Sequence, residues 1–230
     1  MVKNKPLLRS TPIKEKVSAK LILKMLEEAE EKNIMLNSIM IIRNGKVITE
    51  GYYKPYSECI ERSMHSATKS FTATAIGLLI DEGRLKLEDT VMSFFPEYAP
   101  ENPCDNLKKM NVWHLLTMTC GHDSVPPRKG TDNYVKQFLN HPVPYVPGTH
   151  FQYSSMASYM LTAIIRKVTG QNMTRYLRTR IFEPLGIYDA YCDTCPMGIE
   201  YGGGGLFLRT EDLAKLAVLY LNNGIWNGVR

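Results

Sequence analysis

Ser66-Ala67-Thr68-Lys69, followed at once by Ser70-Phe71-Thr72-Ala73-Thr74-Ala75-Ile76-Gly77-Leu78-Leu79-Ile80-Asp81-Glu82-Gly83, is the stretch around which the chain is organised. If helical from Ser66 onward, it sets a serine hydroxyl on the first turn and a lysine amine one turn later on the same face. Burial of such a lysine disfavours its charged form, so its amine can take a proton near neutral pH, while the helix N-terminus offers unpaired amides to a developing anion. That chemistry is acyl transfer through a covalent serine ester. The spacing alone also fits a helix cap followed by a solvated lysine, and the rest of the chain must choose between the two.

Upstream, Ser38-Ile39-Met40-Ile41-Ile42-Arg43 and Lys46-Val47-Ile48-Thr49-Glu50-Gly51-Tyr52-Tyr53 are β-prone runs joined by Asn44-Gly45. Asn-Gly accepts the positive backbone angles of a tight turn, which predicts a hairpin. A lone hairpin needs more strands or a helix on its apolar face. Before it, Ser18 is placed to cap a packing helix to about Lys32, with Ile22, Met25, Leu26 and Ala29 on one face and a solvated charged face opposite. Residues 1–17 read as an extended, proline-containing lead-in.

Downstream, Gly83 stops the Ser66 helix, and helical signatures dominate to Arg230. Helices are predicted over Asn111 to Met118, Asp132 to Leu139, Ser155 to Val168 with Gly170 closing it, and Asn172 to Ile181; a last one, Glu211 to Leu221, is capped by Thr210. The run Gly202-Gly203-Gly204-Gly205 lacks the lysine and serine or threonine of a nucleotide loop, so it reads as a tight turn or a close backbone approach.

Composition limits the function classes. The 230 residues are 44% apolar and 22% charged, as in ordinary soluble domains, and the net charge of +5 comes from scattered lysines and arginines. No nucleic-acid footprint is visible, and no apolar run approaches a membrane span. The basic start from Met1 to Arg9 has no long apolar region after it, so a cytoplasmic address is expected. Cys59, Cys104, Cys120, Cys192 and Cys195 are odd in number and irregularly spaced, which favours reduced thiols. Cys192-Asp193-Thr194-Cys195 has no second ligand pair, so it reads as an incidental loop pair, and no metal or other cofactor is expected.

A second chemical signal lies at Pro147-Gly148-Thr149-His150-Phe151-Gln152-Tyr153-Ser154-Ser155, a turn and short aromatic segment opening the Ser155 helix. On spacing alone Tyr153 is a core aromatic or a catalytic phenol. S-x-x-K followed by P-G-x-x-F-x-Y-S resembles the serine β-lactamase and penicillin-binding superfamily, specifically its class C β-lactamase-like branch. Leu36 to Tyr53, Asp81 to Val91, Val112 to Gly121, Ile181 to Gly186 and Gly203 to Asp212 resemble that branch in the same order, so the likeness covers about residues 20–230.

The resemblance implies an α/β (α+β) protein of the β-lactamase/transpeptidase-like fold, with an antiparallel sheet, flanking helices and a large helical region. Residues 18–230 would form one incomplete hydrolase domain, with 18–60 giving a helix and hairpin and 61–230 the helical region. It implies Ser66 as nucleophile, Lys69 and Tyr153 as the groups relaying its proton, and Ser155 as a substrate-binding residue. The branch includes β-lactamases, D-amino-acid peptidases, carboxylesterases and a nylon amidase, so a small-molecule ester or amide is the expected substrate class.

Two departures shape the expectation. The family often carries asparagine where this chain has Ser155, which lacks an amide and shifts the expectation from β-lactams toward esters. The family's third motif, a Lys or His with Gly two residues on, supplies the second oxyanion amide from a later strand, and none of His65, His114, His122, His141 or His150 fits it. The chain reaches Arg230 without it, so C-terminal strands are expected to be missing, and a catalytically impaired, truncated or degenerate member that binds a ligand or a partner is the alternative reading. An open edge on the hairpin would also permit self-association.

Overall fold

The computed structural model describes residues 6–127, 130 and 132–230; the basic start Met1–Lys5 lies outside the described residues. In chain order the elements are β1 (Leu8–Arg9), α1 (Ala19–Glu31), β2 (Ser38–Arg43), β3 (Lys46–Tyr52), β4 (Arg62–Ser63), α2 (Thr68–Asp81), α3 (Val91–Phe94), α4 (Asp105–Lys109), α5 (Val112–Thr117), α6 (Tyr134–Leu139), α7 (Ser155–Thr169), α8 (Met173–Leu177), β5 (Tyr191–Cys192), β6 (Leu206–Leu208) and α9 (Thr210–Leu221). They fall into two compact units. No helix among the described residues is long and apolar enough to cross a membrane.

The first unit contains the described residues up to Arg62, with Ile181–Asp189 and Leu208–Arg230. Its sheet has the order β1-β3-β2. Asn44 and Gly45 adopt φ of 51° and 72°, the two positive angles that a tight hairpin turn demands, and Arg43 faces Lys46 across it. A register shift between Ile41 and Ile42 bends β2 midway. Leu7, Val47, Ala214 and Val218 form the core on one face of this sheet, with Met40, Ile42 and Trp226 packed around them, so α9 supplies the cover that a hairpin needs.

Two details of this unit differ from the sequence reading. The lead-in is built into the sheet: Leu8 and Arg9 pair in parallel with Lys46 and Val47. Glu15 fastens it by accepting from Lys46 Nζ (2.8 Å), Asn44 Nδ2 (2.9 Å) and Ser10 Oγ (2.8 Å), and those bonds hold its carboxyl down at about 2. Thr210 does not cap α9, because its hydroxyl is taken by Ser38 Oγ (2.9 Å) and Arg62 Nη2 (2.5 Å); Asp212 instead accepts from the Arg209 N–H at 3.2 Å. Helix α1 starts at the expected Ser18 cap, with Ile22, Leu26 and Ala29 half-buried and Met25 exposed.

The second unit, Ser63–Arg180 with Ala190–Phe207, is built around α7. Met156 through Ile165 are all buried, so this helix is enclosed on every side and other helices must surround it. α2, α5, α6 and α8 do so. Ser154 Oγ caps α7 by accepting from the Ala157 N–H at 3.1 Å, and Gly170, at φ 71°, closes it. Asn111 caps α5 through a reciprocal pair with His114, each bond 3.1 Å. α6 begins at Tyr134 with Asn133 as its cap, two residues later than expected. α8 is short and runs on as a π turn at Arg178–Phe182, while β5 pairs with β6 through Tyr191↔Phe207 and Cys192↔Leu206.

The glycine run is a close backbone approach. A Cβ at Gly202 would lie 2.4 Å from Thr162 Cγ2 and 2.7 Å from Ser158 O, and one at Gly203 would lie 2.9 Å from both Cβ and O of Ser155. Gly202→Ala is therefore expected to lower stability by about 1–3 kcal/mol, the usual range for overpacking. Urea unfolding checks this; a loss under about 0.5 kcal/mol would contradict the contact as drawn.

His122 is a buried polar group that the helical core leaves unsatisfied. It is 2% exposed, neither ring nitrogen has a hydrogen-bond partner among the described residues, and it packs edge-on against Phe138 at 4.7 Å and His141 at 5.1 Å. Burial, helped by His141 and opposed by Asp123, pushes its pKa down from 6.5 to about 4. The unfolded chain therefore takes up a proton first on acidification: the contribution is intact above about pH 6.5 and is lost as pH falls toward 4, to a limit of about 3 kcal/mol. His122→Phe should remove this component, read as the difference between the two unfolding free energies from pH 7 to pH 4. A constant difference would count against it.

Candidate active site

Ser66 stands on a single 3-10 turn, His65–Ala67, that runs directly into α2. His65, at φ 44°, occupies the left-handed region just before it, a strained conformation for a residue with a Cβ. Ser66 is exposed and Lys69 is half-buried one turn on. Tyr153 comes from the extended segment just ahead of the Ser154 cap and is 47% exposed. α2 and α7 pack against each other, which brings these segments together.

All four residues singled out in the sequence meet here. Ser66 Oγ lies 2.6 Å from the Tyr153 hydroxyl, and Lys69 Nζ donates to Ser66 Oγ at 3.1 Å and to Ser155 Oγ at 3.4 Å. Lys69 Nζ also lies 4.9 Å from the centroid of the Tyr153 ring. Hydrogen bonding from Lys69 foremost, and then from Ser66, holds the Tyr153 phenol below its ordinary value of 10.0. A phenol that ionises more readily, sharing a hydrogen bond with a serine hydroxyl, can accept that hydroxyl's proton.

Sequence reasoning missed what holds Lys69 and the wall opposite. Lys69 Nζ donates to the Gly203 carbonyl at 2.5 Å, so the glycine run provides its third acceptor. The run is itself tied to α2: Thr72 Oγ1 donates to Gly202 O at 2.8 Å, and Thr68 Oγ1 accepts from the Leu206 N–H at 3.2 Å. Thr68 and Thr72 are one helical turn apart and both fully buried, a polar pair on an apolar helix face, which is the signal that could have exposed them. Beside Ser66 opens a cleft of about 410 Å³ whose lining includes Ser155, Met156, Asp193, Tyr201 and Gly203 to Gly205.

Cys195 is buried with its thiol 3.2 Å from the Tyr159 hydroxyl, and burial pushes the Cys192 thiol well above its ordinary range. Among the described residues no group of three or more histidine, cysteine or acidic side chains is disposed to hold a metal ion.

The sequence profile of the β-lactamase family matches residues 37–227. The chain belongs to the β-lactamase family. Among its curated relatives, Protein flp of Staphylococcus aureus (strain COL) is 32% identical over 164 residues, which is 64% of this chain and 33% of the relative. The 6-aminohexanoate-dimer hydrolase of Paenarthrobacter ureafaciens is 25% identical over 213 residues, 84% of this chain and 54% of that protein. Of solved structures, a Bacillus anthracis protein provisionally described as a 6-aminohexanoate-dimer hydrolase superposes with a TM-score of 0.77 at 25% identity, covering 88% of this chain and 58% of its own. The octameric penicillin-binding protein homologue of Pyrococcus abyssi gives 0.70 at 25% identity, covering 90% and 56%. The chain thus spans from a third to just over half the length of these relatives. The mixed α/β architecture agrees with the β-lactamase/transpeptidase-like fold of these neighbours.

Proposed function

We propose that this β-lactamase-family protein is a serine hydrolase that cleaves small-molecule esters or amides through an acyl-enzyme on Ser66. The observation that carries the reading is the double engagement of one oxygen: Ser66 Oγ is 2.6 Å from the Tyr153 hydroxyl and 3.1 Å from Lys69 Nζ. Ser66 Oγ attacks the substrate carbonyl carbon while its proton passes to the Tyr153–Lys69 pair. The tetrahedral oxyanion collapses, the bond to the leaving oxygen or nitrogen breaks, and the pair returns the proton to that atom. Water then cleaves the Ser66 ester by the same route and releases the acid. The Ser66 N–H, at the opening of the helical turn, supplies one oxyanion donor.

Esters are the favoured substrates. Ser155 stands where an asparagine amide would recognise a β-lactam side chain, and its hydroxyl is engaged by Lys69 at 3.4 Å. The hydrolase relatives support the class at this level. The test is pre-steady-state hydrolysis of p-nitrophenyl butyrate, with an expected burst of nitrophenolate and a butyryl mass increment on the Ser66 peptide. Hydrolysis without an acylated peptide would overturn the covalent route.

A further inference from the structure

We propose that Glu200 is a positioning residue for the Ser66 reaction: it ties the glycine run to α8 and so fixes the Gly203 carbonyl that holds Lys69. The inference rests on the hydrolase reading above. Glu200 is only 4% exposed and lies just ahead of the glycine run. Among the described residues Asn172, which precedes α8, caps no N–H with its side chain. Glu200 closes that helix opening from a distance in sequence. Its Oε2 accepts from the Thr174 N–H at 2.9 Å, its Oε1 accepts from the Thr174 hydroxyl, and the Met173 N–H bonds the same carboxylate. These are amides that a helix start leaves unpaired, so the bond fastens one segment to the other.

The backbone that follows is fastened at each step. The Glu200 carbonyl accepts from Thr162 Oγ1 of α7 at 2.6 Å and from the Gly202 N–H at 3.0 Å. Gly202 O then accepts from Thr72 Oγ1 of α2 at 2.8 Å, and Gly203 O from Lys69 Nζ at 2.5 Å. Thr162 and Thr72 are both buried. Glycine has no side chain with which to hold its own place, so the bonds on either side of Gly203 decide where its carbonyl stands. Glu200 is therefore coupled to Ser66 and Tyr153 through Lys69, which touches both.

What Glu200 supplies is a pair of acceptors in a fixed place. Burial raises its carboxyl above the ordinary 4.5, against the pull of the Thr174 and Met173 donors and of Arg166. A glutamine of the same shape can accept from the Thr174 N–H and donate to the Thr174 hydroxyl, so it keeps the tie without the charge. Removal of the side chain frees the run from α8, and a shift of about 1 Å at a catalytic group costs up to about 100-fold.

The test is single-turnover acylation by p-nitrophenyl butyrate, followed against pH. Glu200→Ala is expected to slow acylation by about 10- to 100-fold at nearly unchanged KM, because Lys69 and Tyr153 act on the serine proton and not on bound substrate. The rising limb should move to higher pH, since Lys69 is the foremost cause holding the Tyr153 phenol below 10.0. Glu200→Gln should recover most of the rate and the parent limb. In a Lys69→Met background Glu200→Ala should cost less than about 2-fold more, because the residue it acts through is gone. A loss that multiplies in full on Lys69→Met, a limb that stays in place, or a Glu200→Gln no better than Glu200→Ala would overturn the proposal and leave the hydrolase reading standing. Should Glu200→Ala fail to fold, Thr174→Val removes one donor to the carboxylate and should give the same signature at smaller size; a folded Thr174→Val with the parent's rate and limb rejects the tie. If no ester acylates Ser66, the hydrolase reading fails, and the phenol itself becomes the readout. The carbon-13 resonance of tyrosine labelled at Cζ, with Tyr153 assigned by its loss in Tyr153→Phe, should then titrate at higher pH in Glu200→Ala than in the parent or Glu200→Gln, and one midpoint for all three rejects the positioning role.

Discussion

Ser66→Ala is expected to abolish labelling by a fluorophosphonate probe and to lower ester turnover by about 10⁴-fold or more, since loss of a nucleophile removes the covalent route and leaves only residual binding effects. The discriminating alternative is Ser155, whose hydroxyl also lies within reach of Lys69, at 3.4 Å. Ser66 has the shorter bond to Lys69, at 3.1 Å, and it alone of the two is bonded to Tyr153. Intact-mass analysis should therefore show one adduct on the parent chain, none on Ser66→Ala, and a retained adduct on Ser155→Ala. Because Ser66 is exposed, the fold should lose less than about 0.5 kcal/mol, so a lost adduct reports chemistry. An equal adduct on Ser66→Ala would place the nucleophile elsewhere.

Local pattern carried most of the fold, because the rules it uses are local. Asn44-Gly45 announced its turn because only residues tolerant of positive φ fit it, and both angles are positive. Gly170 announced a helix end for the same kind of reason, a missing Cβ that admits a positive φ, whereas the caps at Ser154 and Asn111 emerge only from the structure. Thr210 failed as a cap because a tertiary demand, the hydroxyl bridging Ser38 and Arg62, overrode the local one. The apolar face of α1 predicted packing, but periodicity states only which face can be buried and not how deeply: Ile22, Leu26 and Ala29 are half-buried and Met25 is exposed.

The site was legible in halves. Helical spacing puts Ser66 and Lys69 on one face but fits a cap and a solvated lysine as well, and Tyr153 fits a core aromatic, until a family pattern links the three. The Gly203 carbonyl was invisible as a lysine ligand, because 134 residues separate it from Lys69 and a backbone oxygen leaves no trace in composition. The glycine run predicted only closeness. What comes close is the cap end of α7, which also carries Tyr153 on its leading segment. One approach thus positions both a lysine acceptor and the phenol, so the packing that excludes side chains at Gly202 and Gly203 also sets the geometry of the serine.

That coupling makes Lys69 the residue whose loss should change the form of the reaction as well as its rate. Lys69→Met keeps the length of the side chain and removes its charge and its three hydrogen bonds, to Ser66, Ser155 and Gly203. Acylation of Ser66 is expected to fall by about 10²- to 10⁴-fold, the usual worth of a positioned acid–base group. The pH dependence carries the more specific signature. In the proposed route phenolate is the form that accepts the serine proton, so the acylation rate is expected to climb as pH rises through the Tyr153 pKa. Lys69 is the largest cause holding that pKa below 10.0, and in its absence the phenol returns toward that value. The rising limb should therefore move to higher pH in Lys69→Met, and the slow variant should gain proportionally more than the parent between pH 8 and pH 10. Tyr153→Phe, with no phenol to titrate, should lose the limb altogether. Single-turnover acylation by p-nitrophenyl butyrate across that range measures all three proteins, and a midpoint that stays in place in Lys69→Met would show that Tyr153 is not the titrating base.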